Sequence, residues 1–112
     1  MTNISLRAYI RLIDDLIEAH KYDEAILHGK NILKFFPKHI DTYRLLGKAL
    51  LENKQYDVAE LIFNRILTVF PDDFISNLGL SFILENRGEI NPAVSYLERA
   101  FELQPANVSI QE

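Results

Sequence analysis

The chain has 112 residues, of which 48% are apolar and 25% are charged, so it can bury one modest core and is expected to form one domain. Its 12 basic and 16 acidic residues give a net charge of -4, which argues against nucleic acid or an anionic membrane surface as its partner. It has no cysteine, which excludes a disulfide framework, a thiolate metal site and a cysteine nucleophile. We expect a cytoplasmic location, because no segment reads as a signal peptide or approaches the roughly 18 apolar residues of a membrane span.

Three similar segments divide the chain at a constant interval. "LKFFPKH", "LTVFPDD" and "FELQPAN" each bring an apolar run to a proline, at Pro37, Pro71 and Pro105, which are 34 residues apart. Alanine and leucine recur with the same period, at Ala25, Ala59 and Ala93, at Leu12, Leu46 and Leu80, and at Leu16, Leu50 and Leu84. We therefore predict three repeats, at about 6–39, 40–73 and 74–107, with 108–112 as the start of a further helix or a tail.

Each repeat is predicted to contain two helices. The first has apolar residues at helical spacing, as at Tyr43, Leu46 and Leu50, and ends in a polar bend such as 52–55. The repeated alanine near the start of the second helix is expected where the two helices approach most closely. The proline ends the second helix, because it cannot continue the hydrogen-bond ladder.

The start of each second helix carries a candidate N-cap. We expect Asp23, Asp57 and Asn91 to accept a hydrogen bond from an unpaired backbone N–H. Glu60 follows Asp57 by three residues, as in a capping box, and Pro92 would occupy the first helical position.

The pattern resembles the tetratricopeptide repeat, a 34-residue helix–turn–helix unit. The middle repeat matches best, through Tyr43, Leu46, Gly47, Ala59, Phe63 and Pro71. The other repeats depart from the pattern at Ile13, Gly29, Asn77, Ser81 and Leu97. The resemblance implies an all-α fold, a right-handed α-solenoid of three stacked repeats in a single domain over 1–112, and a role as a protein-binding scaffold.

The resemblance also implies which residues face a concave groove. The predicted groove residues are Arg7, Arg11, Asp14, Arg44, Leu45, Lys48, Ile75, Leu78 and Phe82, and Ile17 and Gly79 also fall on this inner face. The first two thirds of the groove have mixed charge and the last third is apolar, so we expect an extended or helical peptide with charges and apolar anchors as ligand. In an alternative interpretation the charged residues and Glu52 form a solvated salt-bridge lattice between repeats, and the apolar residues pack on one another.

One known ligand of this family is not expected. The clamp that holds a chaperone's C-terminal carboxylate uses Lys, Asn, Asn, Lys and Arg. By register these positions are Ile10, Asp14, Leu45, Ile75 and Gly79, and none of the five matches.

No residue pattern indicates catalysis or metal binding. The histidines at 20, 28 and 39 make no i, i+4 pair with another ligand type, the four glycines are isolated, and no serine lies in a nucleophile motif. Asp14 and Glu18 share a helix face, but the neighbouring Arg11 is a better explanation for them than acid–base chemistry. We therefore expect no enzyme activity, no cofactor and no metal.

The last second helix has an apolar face, at Val94, Leu97 and Phe101, that a following repeat would cover. Two interpretations are open: the chain is a piece of a longer array, or the face pairs with a second copy to form a homodimer. The alternative function is accordingly a structural spacer or a self-association module without a groove ligand.

Overall fold

The computed structural model describes residues 5–103, which form six α-helices and no strand. The helices are α1 (Leu6–Glu18), α2 (Tyr22–Phe35), α3 (Ile40–Glu52), α4 (Tyr56–Val69), α5 (Phe74–Asn86) and α6 (Ile90–Leu103). Successive odd-numbered helices begin 34 residues apart, and so do successive even-numbered helices. The predicted all-α fold of stacked helix–turn–helix repeats is confirmed.

The odd-numbered helices have side-chain N-caps that were not predicted. Side chains of Ser5, His39 and Asp73 accept hydrogen bonds from the backbone N–H three residues later. These positions are 34 residues apart, so a polar residue before each first helix was a usable signal.

The predicted N-caps of the second helices are wrong. α2 and α4 begin at Tyr22 and Tyr56, one residue before the predicted caps Asp23 and Asp57, and their N-cap residues make no side-chain hydrogen bond. Asn91 and Pro92 likewise follow Ile90, the first residue of α6. The acidic residues lie instead in the first turn, where a negative charge is favourable to the helix dipole.

The bend before each second helix explains this difference. His20, Lys54 and Gly88 adopt positive φ, at 62°, 64° and 82°. The backbone N–H of the residue that follows donates to the carbonyl five residues earlier. Lys21 donates to Leu16 at 2.8 Å, and Gln55 and Glu89 donate to Leu50 and Leu84 at 2.9 Å. This Schellman turn satisfies the end of the first helix and leads the chain directly into the second.

The repeated proline follows the second helix in the first two repeats, as predicted. α2 and α4 end at Phe35 and Val69, and Pro37 and Pro71 lie two residues later. Pro105 lies outside the described residues.

The core lies between the odd-numbered helices, which form one layer, and the even-numbered helices, which form the other. The alanines at 25, 59 and 93 are buried, which agrees with a close approach of the two helices of each repeat. Leu46, Leu50, Leu80 and Leu84 are also buried, whereas Leu12 is 39% exposed on the first helix.

Helix contacts define the two sides of the solenoid. Each helix packs on its neighbours in sequence, and α1 contacts α3, as α3 contacts α5. The even-numbered helices make no such contact with one another among the described residues. The odd-numbered helices therefore form the inner layer of a particle of 50 × 28 × 28 Å.

Candidate functional site

A charged cleft lies between α1 and α3. It has a volume of about 490 Å³ and reaches Ile75 of α5. Its lining contains Arg7, Ile10, Arg11, Asp14, Asp41, Arg44, Leu45 and Lys48. The structure thus brings seven of the nine predicted groove residues into one concavity.

An apolar cavity of about 570 Å³ continues the cleft along α3 and α5. Ile75, Leu78 and Phe82, which we call the apolar end, line it with exposed fractions of 39%, 38% and 49%. Lys48 and Ile75 line both concavities, so all nine predicted residues lie along one continuous surface. We call that surface the groove.

The floor of the apolar cavity is an aromatic ring. Phe63 of α4 is 1% exposed and lies between Gly47 of α3 and Gly79 of α5. A Cβ at Gly79 would lie 2.5 Å from Cε2 of this ring, so only glycine lets the ring fill the space below the groove. Gly79, expected on the inner face, therefore packs on the core, and Ile17 is likewise a core residue at 1% exposure.

Arg44 lies in the cleft, but its hydrogen bonds are directed to the protein itself. Its Nε donates to Oδ1 of Asp73 at 2.7 Å, and its Nη1 donates to Oδ1 of Asp41 at 2.7 Å. The other oxygen of Asp73 accepts from the backbone N–H and the hydroxyl of Ser76, at 3.0 and 2.6 Å. Arg44 therefore joins α3 to the N-cap of α5 and has a structural role.

The environment of Asp73 changes its pKa. Burial acts to raise the pKa of this carboxyl, but the hydrogen bonds from Arg44 and from the Ser76 hydroxyl and N–H outweigh burial. The net effect is a pKa below the ordinary value of 3.8.

The predicted salt-bridge lattice is wrong for the described part of the chain. No ion pair in that part joins two of the residues that were predicted to form the lattice. Arg44 is the only one of them that forms an ion pair among the described residues, and its partners, Asp41 and Asp73, were not part of the predicted lattice. Arg7, Arg11 and Lys48, which we call the cationic end, form no ion pair with another described residue, and neither does Asp14. Arg11 therefore does not pair with Asp14 or Glu18.

Two acidic residues of α4, Asp57 and Glu60, form ion pairs outside the groove. Nη2 of Arg87, in the bend before α6, lies 2.6 Å from Asp57, and its Nη1 lies 2.7 Å from Glu60. These contacts replace the capping box that was expected for this pair.

The predicted terminal face of α6 is exposed and continuous with the groove. Val94 and Phe101 are 45% and 47% exposed, and Leu97 is half-buried. Val94 and Leu97 also line the apolar cavity, together with Ile90, an exposed residue at the start of α6 that was not predicted as part of either surface. The two predicted surfaces are therefore adjacent and share this cavity.

The histidines have structural contacts. Nδ1 of His28 hydrogen-bonds the Tyr9 hydroxyl at 2.7 Å, His39 caps α3, and His20 stacks on Tyr22. Between residues 5 and 103 no three His, Asp or Glu side chains are grouped so that they could hold a metal ion. Among the described helices, none combines the length with the apolar composition that a membrane span requires.

Fold and surface together define a helical repeat protein with a concave inner layer, and comparison with known proteins gives the family. Models of the tetratricopeptide repeat match residues 16–76 and 76–107. The chain therefore belongs to the tetratricopeptide repeat family, whose solenoids present concave surfaces for protein partners.

Individual relatives are more distant. Human Superkiller complex protein 3 is 25% identical over 91 residues, which are 81% of this chain and 6% of that protein. MamA from Desulfovibrio magneticus, from its residue 41 to its end, has a TM-score of 0.77 at 20% identity, over 88% of this chain and 56% of that one. The Yersinia enterocolitica type III secretion translocator chaperone SycD has a TM-score of 0.82 at 20% identity, over 93% of this chain and 81% of that one. The chain thus spans a small part of the curated relative and about half of the MamA chain.

Proposed function

We propose that this chain is a non-catalytic protein-interaction module whose groove binds a peptide segment of a partner protein. The observation that carries the proposal is the continuity of the charged cleft and the apolar cavity on the inner layer. A long groove with charges at one end and exposed apolar side chains at the other suits a peptide better than a compact small molecule. The single domain over 1–112 and the cytoplasmic location are part of the same proposal.

Capture of partners from a lysate of the source organism tests this function. The groove variant is Lys48→Glu with Phe82→Ala, because neither side chain is fully buried. Arg44 is unsuitable, since its loss would leave the buried carboxylate of Asp73 without its cationic partner. We expect mass spectrometry to identify a partner that binds the unmodified chain and is lost by the variant.

The matched control changes the same chemistry on the opposite side. Lys30→Glu with Leu61→Ala alters exposed residues of α2 and α4, and Leu61 is 66% exposed. A partner lost equally from both variants, or retained by both, would contradict binding in the groove.

A second candidate function is self-association through α6. The exposed apolar face at Ile90, Val94 and Phe101 favours it, and the SycD structure is described as an alternative dimer. Light scattering at tens of micromolar should then give twice the chain mass of 13.0 kDa, and Phe101→Asp should restore the monomer. Phe101 does not line the apolar cavity, so this variant separates self-association from groove binding. A monomeric mass for the unmodified chain would exclude the dimer.

A further inference from the structure

We infer that the groove selects an extended acidic–apolar segment, with carboxylates at the cationic end and a bulky apolar side chain at the apolar end. This inference rests on the proposed function and adds the chemistry of the partner. It follows from three properties of the groove, which are the sign of its unpaired charge, the nature of its cavity and the distance between its ends.

The sign of the unpaired charge is positive. Arg7 and Arg11 are exposed and Lys48 is half-buried, and none of them pairs with another described residue. Asp41 is already bound to Arg44, so Asp14 is the one acid of the cleft lining that no described cation engages. Arg44 carries one positive charge but pairs with both Asp41 and Asp73, so the four cations and three acids in and beside the cleft lining sum to +1. The cleft is therefore locally positive on a chain whose net charge is -4.

A carboxylate is therefore the complementary group at the cationic end. It would gain charge-assisted hydrogen bonds without displacing an existing ion pair of the described residues. A basic segment would have to bring like charges together, which is unfavourable.

The apolar end suits a large aliphatic or aromatic side chain. Its three side chains are partly exposed around a cavity floored by the Phe63 ring. Glu52 and Glu85 also line this cavity and outnumber its single cation, Lys48, so its net charge disfavours a carboxylate of the partner. Acidic and apolar residues of the ligand must therefore be separated along its sequence.

The spacing of the helices sets that separation. Packed helices lie about 8–10 Å apart, so the two steps from Arg7 and Arg11 on α1 to the apolar end on α5 cover roughly 16–20 Å, and Lys48 on α3 lies between them. An extended peptide advances about 3.3 Å per residue, which places the acidic group about five or six residues from the apolar anchor.

A designed probe tests this chemistry directly. It is a fluorescein-labelled peptide with blocked termini, in which two glutamates are separated by a short Gly/Ser spacer from a Leu-Phe pair, so that about five residues divide the charge from the anchor. Matched probes replace the glutamates by lysines, or the Leu-Phe pair by Ser-Ser. We expect fluorescence anisotropy to show binding of the acidic probe, weakening as salt screens the charges, and a loss of at least about tenfold with either matched probe.

Variants of the protein assign the contacts. Arg7→Glu with Arg11→Glu should weaken the acidic probe by at least about tenfold and improve the lysine probe. Lys30→Glu with Lys34→Glu, a pair with the same spacing on exposed positions of α2, should leave both affinities unchanged. Circular dichroism establishes that both variants stay folded.

The outcomes separate this inference from the proposed function. Preference for the lysine probe, or binding that the Arg7 and Arg11 changes leave intact, would overturn the inference. Suppose that a captured partner is lost when Lys48 and Phe82 are changed and yet binds through a segment without the acidic–apolar pattern. That result would overturn the inference and leave groove binding supported. A lack of any groove-dependent partner or probe would overturn both.

Discussion

At the residue scale, neighbouring repeats fill equivalent core positions with side chains of different size. The first repeat has Ile13 and Gly29 where the second has Gly47 and Phe63. Ile13 and Phe63 are both buried, so each repeat combines one large and one small residue at these two positions. Close packing requires such an exchange, because the space between the layers is fixed.

A second exchange explains Asn77, which replaces the aromatic residue of the family pattern. The Tyr43 hydroxyl donates to the Pro37 carbonyl at 3.0 Å, and the Asn77 amide donates to the equivalent Pro71 carbonyl at 3.3 Å. The same hydrogen bond to the proline turn is thus made by a shorter side chain.

The contact of Gly79 with Phe63 gives a prediction for stability. Gly79→Ala places a Cβ 2.5 Å from a buried ring, whereas the nearest atom to a Cβ at Gly29 is 3.6 Å away. Both changes gain about 1 kcal/mol of helix propensity, so their difference isolates the overpacking, which should cost about 1–3 kcal/mol. Urea unfolding measures this difference, and equal stability of the two variants would contradict the described ring position.

At the element scale, repeats are joined by polar contacts between a helix and a neighbouring turn. Arg44 of α3 bonds the N-cap of α5, and Arg87 in a bend bonds Asp57 and Glu60 of α4. The first contact links α3 to α5 across the inner layer, and the second links α4 to the bend between α5 and α6.

The lowered pKa of Asp73 predicts how this contact depends on pH. Because the folded pKa lies below the unfolded one, the ionised carboxylate stabilises the fold fully above about pH 4, and this contribution is lost as pH falls through the folded pKa. Asp73→Asn retains a capping side chain but loses the charge opposite Arg44. Its unfolding free energy should be lower at pH 7 and should fall less between pH values of about 5 and 2.

The control for this prediction is Asp14→Asn, which removes an exposed carboxylate that pairs with no other described residue. Its unfolding free energy at pH 7 should stay close to that of the unmodified chain, because no described ion pair is lost. A profile of Asp73→Asn parallel to that of the unmodified chain would contradict the assigned contact.

At the scale of the whole molecule, stability is distributed along the stack. Helices of the first repeat contact those of the second, and no described helix of the first contacts the third. Such an array is stabilised by its repeats and their shared interfaces, so a local defect is felt mainly next to it.

A bulky residue in the third repeat tests this distribution. Ala93 of α6 is 5% exposed where α5 and α6 pack, so Ala93→Leu should force these helices apart. Hydrogen exchange followed by mass spectrometry should show a large loss of protection in α5 and α6 and little change in α1 and α2. An equal loss in all six helices would indicate one cooperative unit instead.

Much of the fold could be predicted from the sequence because it depends on local signals. The 34-residue period, the alanines and the prolines identified six helices and their order, since each marks a helix end or a close approach that recurs in every unit. The nine groove residues were implied by the resemblance to the tetratricopeptide repeat, because family positions on the inner face carry over by register. The caps predicted for the second helices were wrong because the Schellman turn, which needs positive φ at His20 and Lys54, has no obvious residue signature there.

Tertiary structure decided which groove residues carry a charge without an ion-pair partner among the described residues and which form contacts that stabilise the fold. A sequence does not show that Arg44 reaches Asp73, 29 residues later, while Arg7 and Arg11 remain unpaired, because ion pairs depend on how the repeats are stacked. The same stacking placed Gly79 against Phe63 and joined the face of α6 to the groove. The local period of the chain thus determined the architecture, and the packing between repeats determined the chemistry of its surface.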